Sequence, residues 1–265
     1  MESQDELVKT TPLHRRLALG VRRAGQVLLD QLYPPVCLSC DAPTGTADTL
    51  CAKCFAALRP ITAPLCPVLG LPFEVALGPD TLSAEAIADP PPFERARAAL
   101  VYNDLAGTLV SRLKYGDRPE LARFCARLMA GAGHELWAEK PILVPVPLHP
   151  ARLRERRYNQ SAELALQLAK LTGLDCELGL VRRVKKTRQQ VGLSGDGRAR
   201  NVAGAFAVDI ERLARRAGRR LVLIDDVYTT GATCKALVRA LKKSGVEHID
   251  VMSFARVVIA AEMPI

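Results

Sequence analysis

Apolar positions along this chain follow two alternating patterns: short uninterrupted runs, and stretches where they recur every three or four residues. Residues 96–102, 142–148, 221–224 and 249–254 are runs of the first kind and predict buried strands. Residues 105–114, 120–130, 161–171 and 234–243 have helical spacing, with Leu237, Val238 and Leu241 marking the buried face of the last. Gly173 and Gly245 stand where two of these helices should stop. Apolar strands separated by helices predict an α/β fold, a mostly parallel open sheet with flanking helices. Pro145 and Pro147 set one run apart. A proline has no amide to donate to a ladder, so this run should end in a shaped loop and not continue as a central strand.

Three stretches break the pattern. Over residues 13–32, Leu13, Leu17, Val21, Ala24, Leu28 and Leu32 keep helical spacing, while His14, Arg15, Arg16, Arg22 and Arg23 cover the other side. A basic amphipathic helix of this kind docks on its own domain or lies on an anionic surface, membrane or nucleic acid. Residues 60–92 carry eight prolines and predict irregular structure that links what precedes to a main domain. Residues 181–206 are basic, rich in Gly, Gln and Ser, and almost without periodicity before Phe206. Beside a phosphate site, such a segment reads as a cationic flap that closes on substrate.

Composition adds little until charge and cysteine are counted. A chain of 265 residues, 49% apolar and 25% charged, has the make-up of an ordinary globular protein with one or two domains. The net charge of +9 favours an anionic partner, and nucleotides, pyrophosphate, nucleic acid and a membrane surface all qualify. No apolar run approaches the ~20 residues that span a bilayer, so no membrane span is expected. The acidic start MESQDELVK lacks the apolar core of a secretory signal. Eight cysteines include two C-x-x-C pairs, Cys37 with Cys40 and Cys51 with Cys54, ten residues apart. This is the spacing of two knuckles around one tetrahedral zinc. Four thiolates leave no open ligand position, so the zinc should be structural, and a reducing cytoplasm suits such a chain. Cys66-Pro67-Val68-Leu69-Gly70 has the look of a further knuckle with Leu69 at its second cysteine position, and no metal is assigned to it.

The chemistry concentrates in LVLIDDVYTTGAT, residues 221–233. The strand closes on two carboxylates, Asp225 and Asp226. A turn of Thr229, Thr230, Gly231, Ala232 and Thr233 then opens a helix. That turn gathers free amides, hydroxyls and the positive end of a helix dipole, which suits a phosphate. The carboxylates repel a second anion; they suit vicinal sugar hydroxyls or a hydrated Mg²⁺ ion. A phosphate beside a diol describes a ribose 5-phosphate. A P-loop is excluded because Gly231 is not followed by Lys and Ser/Thr, and no G-x-G-x-x-G opens a helix after a strand. Arg152, Arg154, Arg156 and Arg157 follow the proline-bearing strand, and their planar paired donors could hold a pyrophosphate.

The acidic pair and T-T-G-x-T loop resemble the 5-phosphoribosyl-1-pyrophosphate (PRPP) motif of type I phosphoribosyltransferases. With the cysteine knuckles, Leu113–Gly116 (LKYG), Val144–Leu148 (VPVPL), Arg156-x-Tyr158-Asn159-Gln160, Arg183, Thr187, Gln190, Leu193, Arg198, Asn201, Ala205 and Phe206, the chain resembles the ComF family of competence-associated proteins. The resemblance runs from about Pro34 to the last strand. It departs at Leu69, where many relatives carry a cysteine, and at Arg157, where they often carry glycine.

The resemblance implies a type I phosphoribosyltransferase-like domain over 93–265 and a zinc-ribbon-like module with a proline-rich linker over 37–92; the basic helix read from apolar spacing makes up the segment ahead of them, 1–36. It implies Asp225 and Asp226 on the ribose hydroxyls, Thr229 to Thr233 on the 5-phosphate, and PRPP brought with Mg²⁺ or another phosphoribosyl nucleotide. Arg156 and Arg183 are the basic residues assigned to the substrate. Three readings follow: an enzyme displacing pyrophosphate from PRPP, an accessory protein binding single-stranded DNA or DNA-uptake proteins, and a PRPP sensor. No oligomeric state is assigned.

Overall fold

The structure is a computed structural model and describes residues 34–115, 119–156, 158–185 and 204–258. The basic helix expected over 13–32 and most of the flap expected within 181–206 lie outside the described residues. In chain order the elements are α1 (Ala52–Ala56), α2 (Ala84–Ala88), β1 (Ala96–Val101), α3 (Asp104–Tyr115), α4 (Pro119–Ala132) and β2 (Ile142–Pro145). There follow α5 (Pro150–Arg156), α6 (Gln160–Thr172), β3 (Val181–Arg183), β4 (Phe206–Val208) and α7 (Ile210–Ala214). The last three are β5 (Leu221–Tyr228), α8 (Ala232–Lys243) and β6 (Ile249–Arg256).

Four strands form a parallel sheet in the order β1-β6-β5-β2, with Ile142 opposite Leu221, Leu221 opposite Ile249 and Ala96 opposite Val251. Side chains alternate between its faces. Leu221 and Leu223 join the core shared with Leu237, Val238 and Leu241 of α8; Val222 and Ile224 join the one shared with α3, α4 and α6. A strand apolar on both sides needs cover on both sides, and the helices supply it. The helix that covers the sheet after β2 (α6, which follows α5) and the helix after β5 (α8) thus lie on opposite faces. Between the carboxyl ends of β2 and β5 this leaves a crevice, the place where open α/β sheets take ligands.

The proline-bearing strand is an edge strand, as its composition requires. The amides of Ile142 and Val146 donate to the carbonyls of Arg220 and Ile224, both at 2.9 Å, so alternation turns Leu143 and Pro145 outward. Leu143 pairs with the segment carrying Asp175 and Glu177, and Pro145 has no amide to leave unpaired.

In four places the structure differs from the sequence reading. β5 does not stop before the acidic pair; it runs through Asp225 and Asp226 to Tyr228, because β6 extends to Arg256 and offers partners to Asp225, Val227 and Tyr228. The arginine-rich segment after β2, to which the sequence pattern assigned no element, forms the helix α5, opened by Pro150, a residue suited to a first helical position. The proline-rich stretch 60–92 contains a β-bridge between Leu65 and Pro72 and the helix α2. The first three residues of the stretch read as a flap, and the strand that begins at its last residue, pair as β3 and β4, antiparallel and too short for periodicity to register.

One polar cluster closes the sheet at the end remote from the crevice. Asp250, fully buried, accepts from Arg95 at 2.8 Å and from Arg220 at 3.1 Å, and Arg220 also pairs with Glu94 at 2.6 Å. Two guanidinium partners compensate an acid that would otherwise be costly to bury. Among the described residues no helix is long and apolar enough to cross a membrane.

Candidate functional site

Asp225 and Asp226 lie where β5 leaves the core and meets the crevice. Successive strand residues point to opposite sides, so the two carboxylates meet different partners. Asp225 Oδ1 accepts from the Ser161 hydroxyl at 3.1 Å and from the Asp226 amide at 3.0 Å, and the Cys234 thiol donates to Oδ2 at 3.8 Å. Asp226 Oδ2 pairs with Lys114 Nζ at 3.0 Å, and its other oxygen accepts from the Val227 amide at 2.7 Å. Desolvation, and after it the charge of Asp226, raise the Asp225 carboxyl to about 7; the Asp226 amide, Ser161 and Lys114 act against that rise. Burial and the same carboxylates push Cys234 well above the usual thiol range, so it stays protonated and donates.

The turn behind the acidic pair is shaped by glycine. Gly231 has φ +69°, and a Cβ there would overlap the ring and hydroxyl of Tyr228. Both conditions exclude other residues. Gly231 is also the N-cap of α8, and no side chain caps that helix end. Thr230 Oγ1 is buried without a hydrogen-bond partner among the described residues, while Thr229 is exposed and Ala232 and Thr233 are half-buried. The arrangement offers a hydroxyl and helix-end amides to a single anion.

Two separate motifs meet beside Asp226. The Tyr158 hydroxyl donates to the Leu113 carbonyl, and Gln160 Nε2 donates to the Lys114 carbonyl at 3.4 Å. Arg156 donates to Gln160 Oε1 at 3.3 Å and stacks 5.4 Å over the Tyr115 ring. Asn159 caps α6 through the Ser161 amide and donates to the Val146 carbonyl at 3.1 Å, fastening α6 to the end of β2. This network sets Lys114 and Ser161 against the two carboxylates. Sequence reasoning assigned no role to Lys114, Ser161 or Cys234. The LKYG motif was the signal for Lys114; nothing in the sequence marked the other two.

The two arginines expected at the substrate, Arg156 and Arg183, are placed differently. Arg156 touches Tyr115 and Gln160 and makes no ion pair with either aspartate. Arg183, on β3, lies buried over the Phe206 ring at 5.5 Å. Burial and then the charge of Arg152 lower its proton affinity, and Asp225 raises it, which puts Arg183 within electrostatic reach of the acidic pair.

The thiols of Cys37, Cys40, Cys51 and Cys54 all lie within 4.8 Å of one another, with Cys40 and Cys51 Sγ 3.7 Å apart. A tetrahedron with Zn–S bonds of ~2.3 Å has sulfurs ~3.8 Å apart, so the cluster fits one zinc. Against desolvation, the amides of Cys51, Cys40 and Ser39 lower Cys37 to about 6, while burial and the thiols of Cys40, Cys51 and Cys37 push Cys54 up to about 12. Four such thiols become thiolates together only around a cation, and a structural zinc supplies it. The lobe docks through Asp41 on Arg112 at 2.6 Å and Asp48 on Arg123 at 2.7 Å.

A double zinc ribbon domain model matches residues 28–87, and a phosphoribosyl transferase domain model matches residues 158–263. The DNA utilization protein YhgH of Salmonella typhimurium is 31% identical over 229 residues, covering 84% of this chain and 97% of that protein. Competence protein F of Haemophilus influenzae is 35% identical over 161 residues, 58% of this chain and 69% of that one. A solved purine phosphoribosyltransferase from Pyrococcus horikoshii is a distant likeness, 16% identical with a TM-score of 0.30 over 53% of this chain and 91% of that one. A zinc ribbon ahead of a phosphoribosyltransferase-like sheet, with relatives matched over most of their length, places the chain in the ComF family of competence-associated proteins.

Proposed function

We propose that the chain binds PRPP with Mg²⁺ in the crevice beyond β2 and β5, and that it acts in the cytoplasm in the use of external DNA, a role in keeping with relatives named for DNA utilization and competence. One observation carries the reading: a desolvated carboxyl, Asp225, with a second carboxylate beside it, is followed within five residues by a buried threonine hydroxyl that is unpartnered among the described residues, at a helix end with no side-chain cap. Asp225 and Asp226 accept the ribose hydroxyls, and Thr229 to Thr233 hold the 5-phosphate. Arg183, with Arg156 further out, adds positive charge for the pyrophosphate. Mg²⁺ brought with PRPP would supply positive charge to the departing pyrophosphate. With a nitrogen nucleophile as acceptor, these residues perform a phosphoribosyl transfer: the bond from the anomeric carbon to pyrophosphate breaks, and charge develops where the basic groups lie. Without an acceptor, the same pocket is a PRPP sensor.

A second reading, binding of single-stranded DNA, draws on the net charge of +9 and on Arg15, Arg16, Arg22 and Arg23. Calorimetry with PRPP/Mg²⁺ and with single-stranded DNA on one preparation separates the two. Asp226→Asn keeps the side chain's shape but removes a charged acceptor, a loss of about 1.5–3 kcal/mol. Binding of PRPP should weaken roughly tenfold to a hundredfold. Absence of heat from wild-type protein with millimolar PRPP and Mg²⁺ would falsify the phosphoribosyl reading. Loss of DNA binding on neutralising the four arginines, with Asp226→Asn unaffected, would establish the second.

A further inference from the structure

The matched double ribbon spans two lobes, yet among the described residues one cysteine cluster accounts for one metal. Residues 64–89 nevertheless repeat the first lobe turn for turn. In the first lobe Val36 bridges Pro43; the Cys37 amide donates to the Ala42 carbonyl at 2.8 Å, Asp41 to Cys37 at 3.1 Å and Thr44 to Pro35 at 2.9 Å. In the second, Leu65 bridges Pro72; Cys66 donates to Leu71, Gly70 to Cys66 and Phe73 to Pro64, each at 2.8 Å. The fifth residue of each turn is left-handed, Asp41 at φ 58° and Gly70 at φ 63°. The second halves correspond as well: α1 begins after Cys51 as N-cap, and α2 after Ser83.

Thiol contacts fix the alignment. Cys37 Sγ accepts from the Ser39 amide at 3.4 Å and is further held by the Cys40 and Cys51 amides. Cys66 Sγ accepts from the amides of Leu69 and Ser83, both at 3.4 Å. The ligand positions Cys37, Cys40, Cys51 and Cys54 therefore correspond to Cys66, Leu69, Ser83 and Ala86. Leu69 and Ala86 are buried and have no donor atom, so the second lobe does not fit a tetrahedral zinc.

We infer that residues 64–89 form a metal-free ribbon lobe, in which packed side chains and two buried arginines hold the knuckle that zinc holds in the first lobe. Arg97, on β1, donates to the Pro67 carbonyl at 3.0 Å, and Arg256, on β6, donates to the Leu69 carbonyl. Leu69, Leu71 and Ala86 join the core that contains Phe93 and Tyr228. The exchange changes what the lobe is fastened to. Zinc ties a lobe to itself; the arginines tie this one to the sheet. Arg256 lies 4.8 Å over the Tyr228 ring, the side chain that Gly231 must clear, and Asp89 after α2 pairs with Lys235 of α8 at 2.7 Å. The lobe thus braces both the strand end and the helix that flank the threonine turn.

Metal content and amide exchange of the full chain test this without reference to PRPP. Wild type and Cys66→Ser should each hold one zinc. The triple variant L69C/S83C/A86C should hold two metals, the second giving thiolate-to-metal bands with Co²⁺. Two metals in wild type, falling to one in Cys66→Ser, would overturn the inference, as would a folded triple variant that stays at one. Should the triple variant fail to fold, exchange decides: chelation of wild type should raise it in residues 36–56 by on the order of tenfold or more and leave 65–73 unchanged. Arg256→Met should raise it in 65–73. Equal loss in both lobes on chelation, or no change at 65–73 in Arg256→Met, would refute the clamp.

Discussion

At Asp225 desolvation and a neighbouring charge raise a carboxyl from its ordinary 3.8 to about 7. Between those values the native state binds more protons than the unfolded chain, so stability falls as pH rises through the window. Asp225→Asn removes the ionisable group and keeps the Ser161 contact available. At pH 8 it should be more stable than wild type by on the order of 1–3 kcal/mol, with the difference vanishing towards pH 4. Denaturant melts at pH 4, 6 and 8 check this, and an equal offset at all three would count against it. Lys114 holds the carboxyl down, so Lys114→Met should move the midpoint of the difference to higher pH. Such a carboxyl costs stability in the empty protein and becomes useful when a ribose hydroxyl donates to it. PRPP binding should accordingly tighten as pH rises from 6 to 8.

The elements around the crevice are joined by a few demanding contacts. Gly231→Ala meets both a positive φ and the Tyr228 ring. Strain of this sort costs about 1–3 kcal/mol. Because relief requires the turn to move, PRPP affinity should fall by more than the melt does; titration and melting on one sample compare the two. Binding retained with only the melt lowered would mean that the turn is not the phosphate site. Gln160→Leu keeps the volume but removes the bonds to Lys114 and Arg156. Lys114 is then set less firmly against Asp226, and PRPP binding should weaken severalfold with little change in fold, as circular dichroism would report.

For the whole molecule, the zinc lobe is part of a core and not a bead on a string. Cys37, Leu38 and Leu50 pack with Leu109, Leu121 and Val222 in one cluster. Cys40→Ser should lower metal content well below one zinc per chain and also lower the unfolding midpoint of the α3 and α4 face. The crevice is carried by the opposite-facing helices α6 and α8, and PRPP binding should largely survive. Metal analysis beside calorimetry measures both, and unchanged metal content in Cys40→Ser would show that the four thiols do not act as one site.

The sequence by itself was enough for the four strands of the parallel sheet, the helices that cover them, the exclusion of the proline-bearing run from a central position and the thiol set, because each rests on spacing within a short segment. Period two and period 3.6 are local properties, and so is the C-x-x-C knuckle. The partners of those segments were not legible. Apolar periodicity over 249–254 conceals Asp250, whose burial depends on Arg95 and Arg220, the residues just before β1 and β5. β5 extends beyond its apolar run because β6 supplies ladder partners that no local pattern shows. Ser161, Lys114 and Cys234 reach Asp225 and Asp226 from three different helices. Only the crossing of connections to opposite faces brings them together, and the same packing turned a proline-rich stretch into a second lobe clamped by Arg97 and Arg256. Contacts between residues far apart in the chain follow from topology and burial, which one-dimensional spacing does not encode.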